Sequence, residues 1–193
     1  MFKPNDFVIY PSQGMGIIER IDRQDISGMT CEFYIVRIKS NNITLMVPIN
    51  KADNVGLRKP VNKEQAETIM QSLRDNGDRN IFIGQNWNRR FKEYTERIKS
   101  KDLIIVTEAL RELLLIGRNK ELSFGEKRLQ EQALGLVSGE LSNVLQIDEE
   151  NIKSELFELY PPYTPEQDQN NEQANDQPII QNTAHIQNNL SSV

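Results

Sequence analysis

The first sixty residues carry their apolar side chains in short runs that alternate with polar positions or end at turn residues. Runs of this kind, rich in valine, isoleucine and aromatic residues, are typical of β-strands rather than helices. The predicted strands cover residues 7–10, 16–21, 31–39 and 43–47. Within the third strand, Tyr34 and Val36 share one face, opposite Ile35, because successive side chains of a strand point to opposite faces.

Turn residues separate these strands. Ser27-Gly28 marks the turn after the second strand. Gly14 and Gly16 lie between strands with no helix after them, so they fit bulges or tight turns better than a phosphate-binding loop. Four or five short strands with such turns favour a small antiparallel β-barrel of the SH3 or Tudor type, which we assign to residues 1–58.

From Asn62 onward the apolar residues recur every three or four positions, the period of amphipathic helices. The candidate N-cap residues are Asn62, Asn86, Asp102, Ser123 and Asp148. Gln65 and Glu126 complete two capping boxes, and Gly77 and Gly117 are the expected ends of the first and third helices. These signals predict a five-helix bundle over residues 59–160. Together with the β-barrel that precedes it, the bundle gives an α+β fold.

Residues 161–193 differ in composition from the rest. They are rich in glutamine and asparagine, contain no lysine or arginine, and hold four acidic side chains. Such a segment buries too little apolar surface to offset its ordering entropy, so we expect a disordered tail. It carries −4 of the formal charge of −5, leaving −1 on residues 1–160. The overall acidity therefore says little against nucleic-acid binding by the folded part.

Residues that could support catalysis or bind a metal are scarce. Cys31 is the only cysteine and His185, in the tail, is the only histidine, which argues against zinc sites and histidine-dependent triads. No phosphate-binding loop, dinucleotide fingerprint or nucleophile elbow occurs. The N-terminus lacks a signal-peptide pattern and no apolar run is long enough to span a membrane. We expect a cytoplasmic protein that is not an enzyme and needs no metal or cofactor.

Residues 87–101 hold the only tryptophan and the densest basic cluster. The cations are Arg89, Arg90, Lys92, Arg97, Lys99 and Lys101. The aromatic and apolar residues at the spacing of one helix face are Trp87, Phe91, Tyr94 and Ile98. An aromatic side chain at a helix start, followed by arginines, suits insertion into distorted DNA while cations bind phosphates. The alternative is a core tryptophan on a helix whose charges are merely solvated.

Two further surfaces are candidates for binding. Lys127 and Arg128, at the start of the fourth predicted helix, can extend the basic surface, since helix starts attract phosphates; the alternative is a solvated first turn. On the sheet, an apolar strand beside a proline could dock on a partner protein. Its residues are Tyr34, Val36, Met46, Val47 and Pro48. The pattern leaves open whether Val36 and Val47 are instead barrel core.

Five blocks in order, over about four-fifths of the chain, resemble the CarD family of bacterial RNA polymerase-binding regulators. They read FKPNDFVIYPSQGMG, EFYIVRI, MVPINKADNVGLR, NWNRRFKEY and LSFGEKRLQEQA. The resemblance implies an N-terminal Tudor-like domain, similar to the polymerase-interacting domain of the transcription-repair coupling factor, that binds the polymerase β subunit. It implies a helical domain that meets promoter DNA at the upstream edge of the transcription bubble. With so few cations the protein is expected to bind naked duplex weakly and largely without sequence preference, and nothing in the sequence demands more than a monomer.

The resemblance also assigns residues. Trp87 stands where the family's tryptophan wedges into the minor groove of promoter DNA and slows collapse of the bubble. Arg89 matches a DNA-contacting arginine, and Arg90 and Lys92 lie where backbone contacts are expected. On the polymerase side, the matching positions are Met46 and Pro48, with Val36 on the neighbouring strand. The implied partner is holoenzyme carrying the primary σ factor.

Three positions depart from the family pattern. Actinobacterial members carry arginines where Met46 and Gln24 stand here, with Arg23 beside Gln24 as a substitute, so this polymerase interface is expected to be more apolar. Thr95 replaces a methionine that contributes to DNA contact in some relatives. The competing hypothesis is a protein–protein adaptor that docks on polymerase without touching DNA, with Trp87 in its core.

Overall fold

The computed structural model describes residues 1–26, 28–75, 77 and 87–165, excepting the side chain of Trp87. Met1–Tyr163 folds as one unit, and the second unit, Thr164–Val193, is described only at its first two residues. The predictions for Asn86 and for the disordered tail beyond residue 165 fall outside the described residues.

The N-terminal part is a four-stranded antiparallel sheet that curls into a half-barrel, in the order β1-β2-β3-β4. Its strands are β1 (Phe7–Tyr10), β2 (Gly14–Ile26), β3 (Met29–Ile38) and β4 (Thr44–Pro48). β2 and β3 are longer than predicted. Beyond a bulge between Ile18 and Arg20 the two strands stay paired although few of their side chains are buried, because polar side chains pair across the strands. There Arg23 donates to Glu32, its direct partner across the strands, at 2.7 Å.

The inner face of the sheet holds a small core of its own. Its buried members are Val8, Ile18, Tyr34, Val36, Ile38, Val47, Ala52 and Leu57. Phe2 closes one side, with its backbone N–H donating to the Tyr34 hydroxyl at 3.0 Å and its ring packed edge-on against the tyrosine ring. The prediction of a bulge or tight turn at Gly16 is wrong, because Gly16 lies within β2 and pairs with Val8 and Ile38. A Cβ there would come within 2.8 Å of Val36 Cγ1, so this glycine serves close packing.

Five helices follow the sheet and confirm the predicted α+β class. They are α1 (Lys63–Arg74), α2 (Trp87–Ile98), α3 (Leu103–Asn119), α4 (Phe124–Leu145) and α5 (Glu149–Leu159). The capping boxes at Asn62 and Ser123 and the caps at Asp102 and Asp148 are confirmed. No helix in the described ranges is both long and apolar enough to cross a membrane.

Two predicted helix ends are wrong. α1 ends at Arg74, before Gly77, and α3 continues through Gly117 to Asn119. Gly117 is required for packing rather than for a cap, because a Cβ there would lie 3.2 Å from Leu122 Cδ1 and 3.3 Å from Gln130 Nε2.

Arg58, at the predicted domain boundary, joins the sheet to α4. Its backbone pairs with Ile9 of β1 through two hydrogen bonds of 2.7 and 3.1 Å. Its guanidinium donates to both carboxylate oxygens of Glu140, at 2.7 and 2.8 Å, and Glu140 also accepts from the backbone N–H of Val61 at 2.9 Å. Glu140 is 2% exposed, so this two-pronged ion pair is a buried clamp between the two halves.

We expect Glu140→Ala to lower the free energy of unfolding by about 3–5 kcal/mol, because it leaves the Arg58 guanidinium and the Val61 N–H without their shared acceptor. Urea denaturation measures the change. The matched control is Glu67→Ala, which removes an exposed i,i+4 ion pair with Lys63 at 3.8 Å and should cost no more than about 0.5 kcal/mol. Equal losses in the two variants would contradict the clamp.

Candidate nucleic-acid interface

The starts of α2 and α4, which carry the predicted DNA-binding cations, lie side by side. Arg90, in the first turn of α2, places Nη2 3.4 Å from Oε1 of Glu126, in the first turn of α4. The two side chains are 12% and 3% exposed, so the pair is largely shielded from water. The two basic segments, thirty-odd residues apart in the chain, therefore form one surface.

Glu126 is the centre of this junction. It accepts from the Ser123 backbone N–H at 2.9 Å and from the Ser123 hydroxyl at 2.8 Å, and Lys120 approaches at 3.4 Å. Burial raises the pKa of the Glu126 carboxyl, but the donors of Ser123 and the charge of Lys120 outweigh it and hold the pKa below its usual value. One carboxylate thus caps α4 and holds the start of α2.

The other end of α2 is attached to α3. Tyr94 donates its hydroxyl hydrogen to Glu112 at 3.0 Å, and Arg97 donates to both oxygens of the same carboxylate at 3.0 Å. Burial, and then the negative charge of Glu112, raise the pKa of the Tyr94 hydroxyl well above its usual range. Arg97 therefore holds the end of α2 against α3 through Glu112.

The buried face of α2 differs from the predicted one. Tyr94 and Ile98 are buried as expected, whereas Phe91 is an exposed residue. Arg90 and Arg97 turn inward instead, with side chains 12% and 18% exposed, because their carboxylate partners on α4 and α3 compensate the charges. Sequence periodicity ranks arginine as a surface residue and could not anticipate this rotation.

The remaining predicted cations face solvent. Arg89, Lys92, Lys127 and Arg128 are all exposed. Lys127 makes an ion pair with Glu121 at 3.0 Å. Both side chains are exposed, so the pair is weak and Lys127 can exchange Glu121 for another anion. Arg89, Lys92 and Arg128 form no ion pair within the described part of the chain. The side chain of Trp87 lies outside the described residues, although its backbone begins α2.

The predicted polymerase-binding residues divide into two groups. Val36 and Val47 belong to the buried core of the sheet, so their side chains are not available to a partner in this conformation. Met46 is 48% exposed on the opposite face of the sheet, and Pro48 is half-buried at the end of the same strand. β4 is an edge strand, hydrogen-bonded to β3 on one side and to no other strand in the described residues.

Two residues of this region were not predicted. Phe124, the first residue of α4, is an exposed aromatic side chain. Glu126 was recognised as part of a capping box, but nothing in the local sequence indicated its ion pair with Arg90. Among the described residues, no three histidine, cysteine, aspartate or glutamate side chains come together in a way that could hold a metal ion.

The lowered pKa of Glu126 predicts an acid-sensitive contribution to stability. The contribution is fully present above the ordinary pKa of 4.5 and is lost as the pH falls below it through the lowered pKa. We expect Glu126→Gln to cost about 1.5–3 kcal/mol at neutral pH and progressively less below pH 4.5. Thermal unfolding of both proteins between neutral and acidic pH measures this, with Glu131→Gln on the same helix as a control for loss of charge. A difference that does not shrink in acid would contradict the assignment.

Comparisons with known proteins agree over both halves of the chain. The family model for the CarD-like/TRCF RID domain matches residues 2–61, and that for the CarD C-terminal domain matches residues 68–157. YdeB of Bacillus subtilis (strain 168), a candidate transcription factor, is 29% identical over 154 residues, covering 80% of this chain and 99% of the relative.

Among solved structures, CdnLNt from Myxococcus xanthus is 41% identical to this chain over the matched part. The match covers 31% of this chain and 83% of CdnLNt, with a TM-score of 0.27. The two family models follow each other in order along the sheet and the helices described above. The chain belongs to the CarD family of transcription regulators.

Proposed function

We propose that this protein is a non-enzymatic cytoplasmic regulator that binds the RNA polymerase β subunit through its sheet and stabilises the open promoter complex through its helices. It acts as a monomer on holoenzyme carrying the primary σ factor. The observation that carries the proposal is the junction of α2 and α4, where the Arg90–Glu126 pair gathers solvent-facing cations from two helix starts onto one surface.

This surface suits DNA more than a folded protein partner. Arg89, Lys92 and Arg128 have no internal partner within the described residues and can neutralise phosphates, releasing the counterions condensed on DNA. Contacts of this kind position a protein without reading sequence, in keeping with a factor that serves many promoters. In the proposal Arg90 supports the surface from within and contributes less to DNA contact than its neighbours, because Glu126 already engages it.

Trp87 is the proposed wedge at the upstream edge of the bubble. Inserting an aromatic side chain between base pairs costs a few kcal/mol of unstacking, and this cost is smallest where the duplex is already opening. A surface with so few cations binds naked duplex weakly. Attachment to polymerase raises the local DNA concentration to roughly millimolar, which makes weak contacts effective.

The polymerase-binding surface in this proposal is the outer face and free edge of β4. Met46 offers a flexible apolar side chain, and Pro48 ends the strand next to it. An exposed strand edge can pair with a strand of another protein, with side-chain contacts supplying specificity. Val36 and Val47 support this surface from the core beneath.

We expect Trp87→Ala to bind polymerase as wild type does but to lose the ability to lengthen the lifetime of open complexes, because the wedge is removed while the sheet is untouched. The measurement is open-complex lifetime with cognate holoenzyme, without the protein, with wild type and with the variant. Circular dichroism verifies that the variant is folded.

Each result separates the hypotheses. Equal lengthening by wild type and variant would make Trp87 structural in this protein. Lengthening by neither, despite binding to the β subunit, would favour an adaptor without DNA contact. Loss of polymerase binding in the variant would contradict the division of labour between sheet and helices.

We expect Met46→Asp to abolish binding to the β subunit, because a carboxylate cannot be desolvated in an apolar contact without a partner. Pull-down with the isolated β lobe measures this, and anisotropy with promoter DNA at low salt should be unchanged. Met29→Asp is the matched control, since Met29 is a still more exposed methionine, at 68%, and lies at the far end of the β2–β3 ribbon. Loss of binding in both variants would place the interface elsewhere on the sheet.

A further inference from the structure

Phe124 is the most exposed large apolar side chain in the described part of the chain apart from Met1. It is the first residue of α4 and is 84% exposed. Single exposed apolar residues are common and need no explanation by themselves. What distinguishes Phe124 is that it lies beside two cations.

Phe124, Lys127 and Arg128 stand at positions i, i+3 and i+4 of α4 and therefore share one face of the helix. The acidic residue of the same turn, Glu126, points inward to Ser123 and Arg90 and is buried. The surface therefore carries an aromatic ring beside two cations, with Glu126 withdrawn. The exposed carboxylate of Glu121 pairs with Lys127, in a solvent-exposed contact that a phosphate can replace.

The pairing of an aromatic ring with cations fits unpaired nucleobases. Every base has a π-face that can stack on an aromatic side chain, while neighbouring cations hold the phosphates on either side, and the combination tolerates any sequence. In an intact duplex the bases already stack on each other, so such a ring finds its partner only where strands have separated. A protein partner would have to cover two charges beside the apolar ring, whereas the cores of protein interfaces are depleted of charged residues, and lysine is depleted across the whole interface.

The location agrees with this chemistry. The Arg90–Glu126 pair holds the start of α2 against the start of α4, so Phe124 lies at the same end of the helical bundle as Arg89 and Lys92. We propose that Phe124 is a stacking residue for an unpaired base at the upstream fork, separate from the wedge at Trp87, with Lys127 and Arg128 binding the adjoining phosphates. The inference rests on the proposed function and extends it from duplex DNA to the melted strand.

The test uses the full chain with polymerase and an open complex carrying 2-aminopurine at single positions of the upstream fork. The variants are Phe124→Ala, Phe124→Tyr and Phe124→Leu. Phe157→Ala is the matched control, because Phe157 is an exposed phenylalanine on α5 and the cation on its face, Lys153, is paired with Glu149 and Glu150. Thermal unfolding should show little change at residue 124, since the side chain is mostly in solvent.

Wild type and Phe124→Tyr should quench 2-aminopurine at one fork position, whereas Phe124→Ala and Phe124→Leu should not. The concentration that half-maximally lengthens open-complex lifetime should rise roughly five-fold or more in Phe124→Ala, as loss of one base stack implies, and should not change in Phe157→Ala.

The inference is overturned if Phe124→Leu matches wild type, which would indicate an apolar contact with protein, or if Phe124→Ala has no effect while wild type still lengthens the lifetime. Failure of the proposed function is a different result, in which wild type itself neither lengthens the lifetime nor quenches at any fork position.

Discussion

The ion pair between Arg58 and Glu140 decides how the sheet and the helices are arranged. Removing a carboxylate from water is costly, and Glu140 is stabilised only because Arg58 meets both of its oxygens and Val61 donates a third hydrogen bond. Arg58 is tied to β1 through its backbone at the same time. The pair therefore acts only in one relative placement of the two halves, which gives it specificity as well as stability.

α4 carries both of the buried glutamates that organise the molecule. Glu140 engages the sheet through Arg58, and Glu126, about four turns earlier, engages α2 through Arg90. The stretch of helix between Glu126 and Glu140 sets a distance of about 21 Å between the two junctions. In the proposed function that helix is the rigid element that holds the DNA-binding surface at a set distance from the sheet.

Net charge is a poor guide to this protein's partners. The chain is acidic overall, and buried or half-buried carboxylates neutralise Arg58, Arg90 and Arg97 internally. The cations left in solvent at the starts of α2 and α4 lie close together because Arg90 pairs with Glu126, the acidic residue in the first turn of α4, which faces inward. Electrostatic steering depends on this local arrangement rather than on the sum of charges.

The sequence by itself determined whatever depends on near neighbours in the chain. Alternation, turns and caps gave the sheet, the five helices and the cap residues Asn62 and Ser123, because strands, caps and helix faces obey short-range rules. Only the tertiary structure decided which of several equally allowed faces is buried. Alternation could not tell that Val36 belongs to the core while Met46 faces solvent, and helical period could not tell that Arg90 turns inward and Phe91 outward. Those choices depend on partners from distant segments, such as Glu126, that no local pattern encodes.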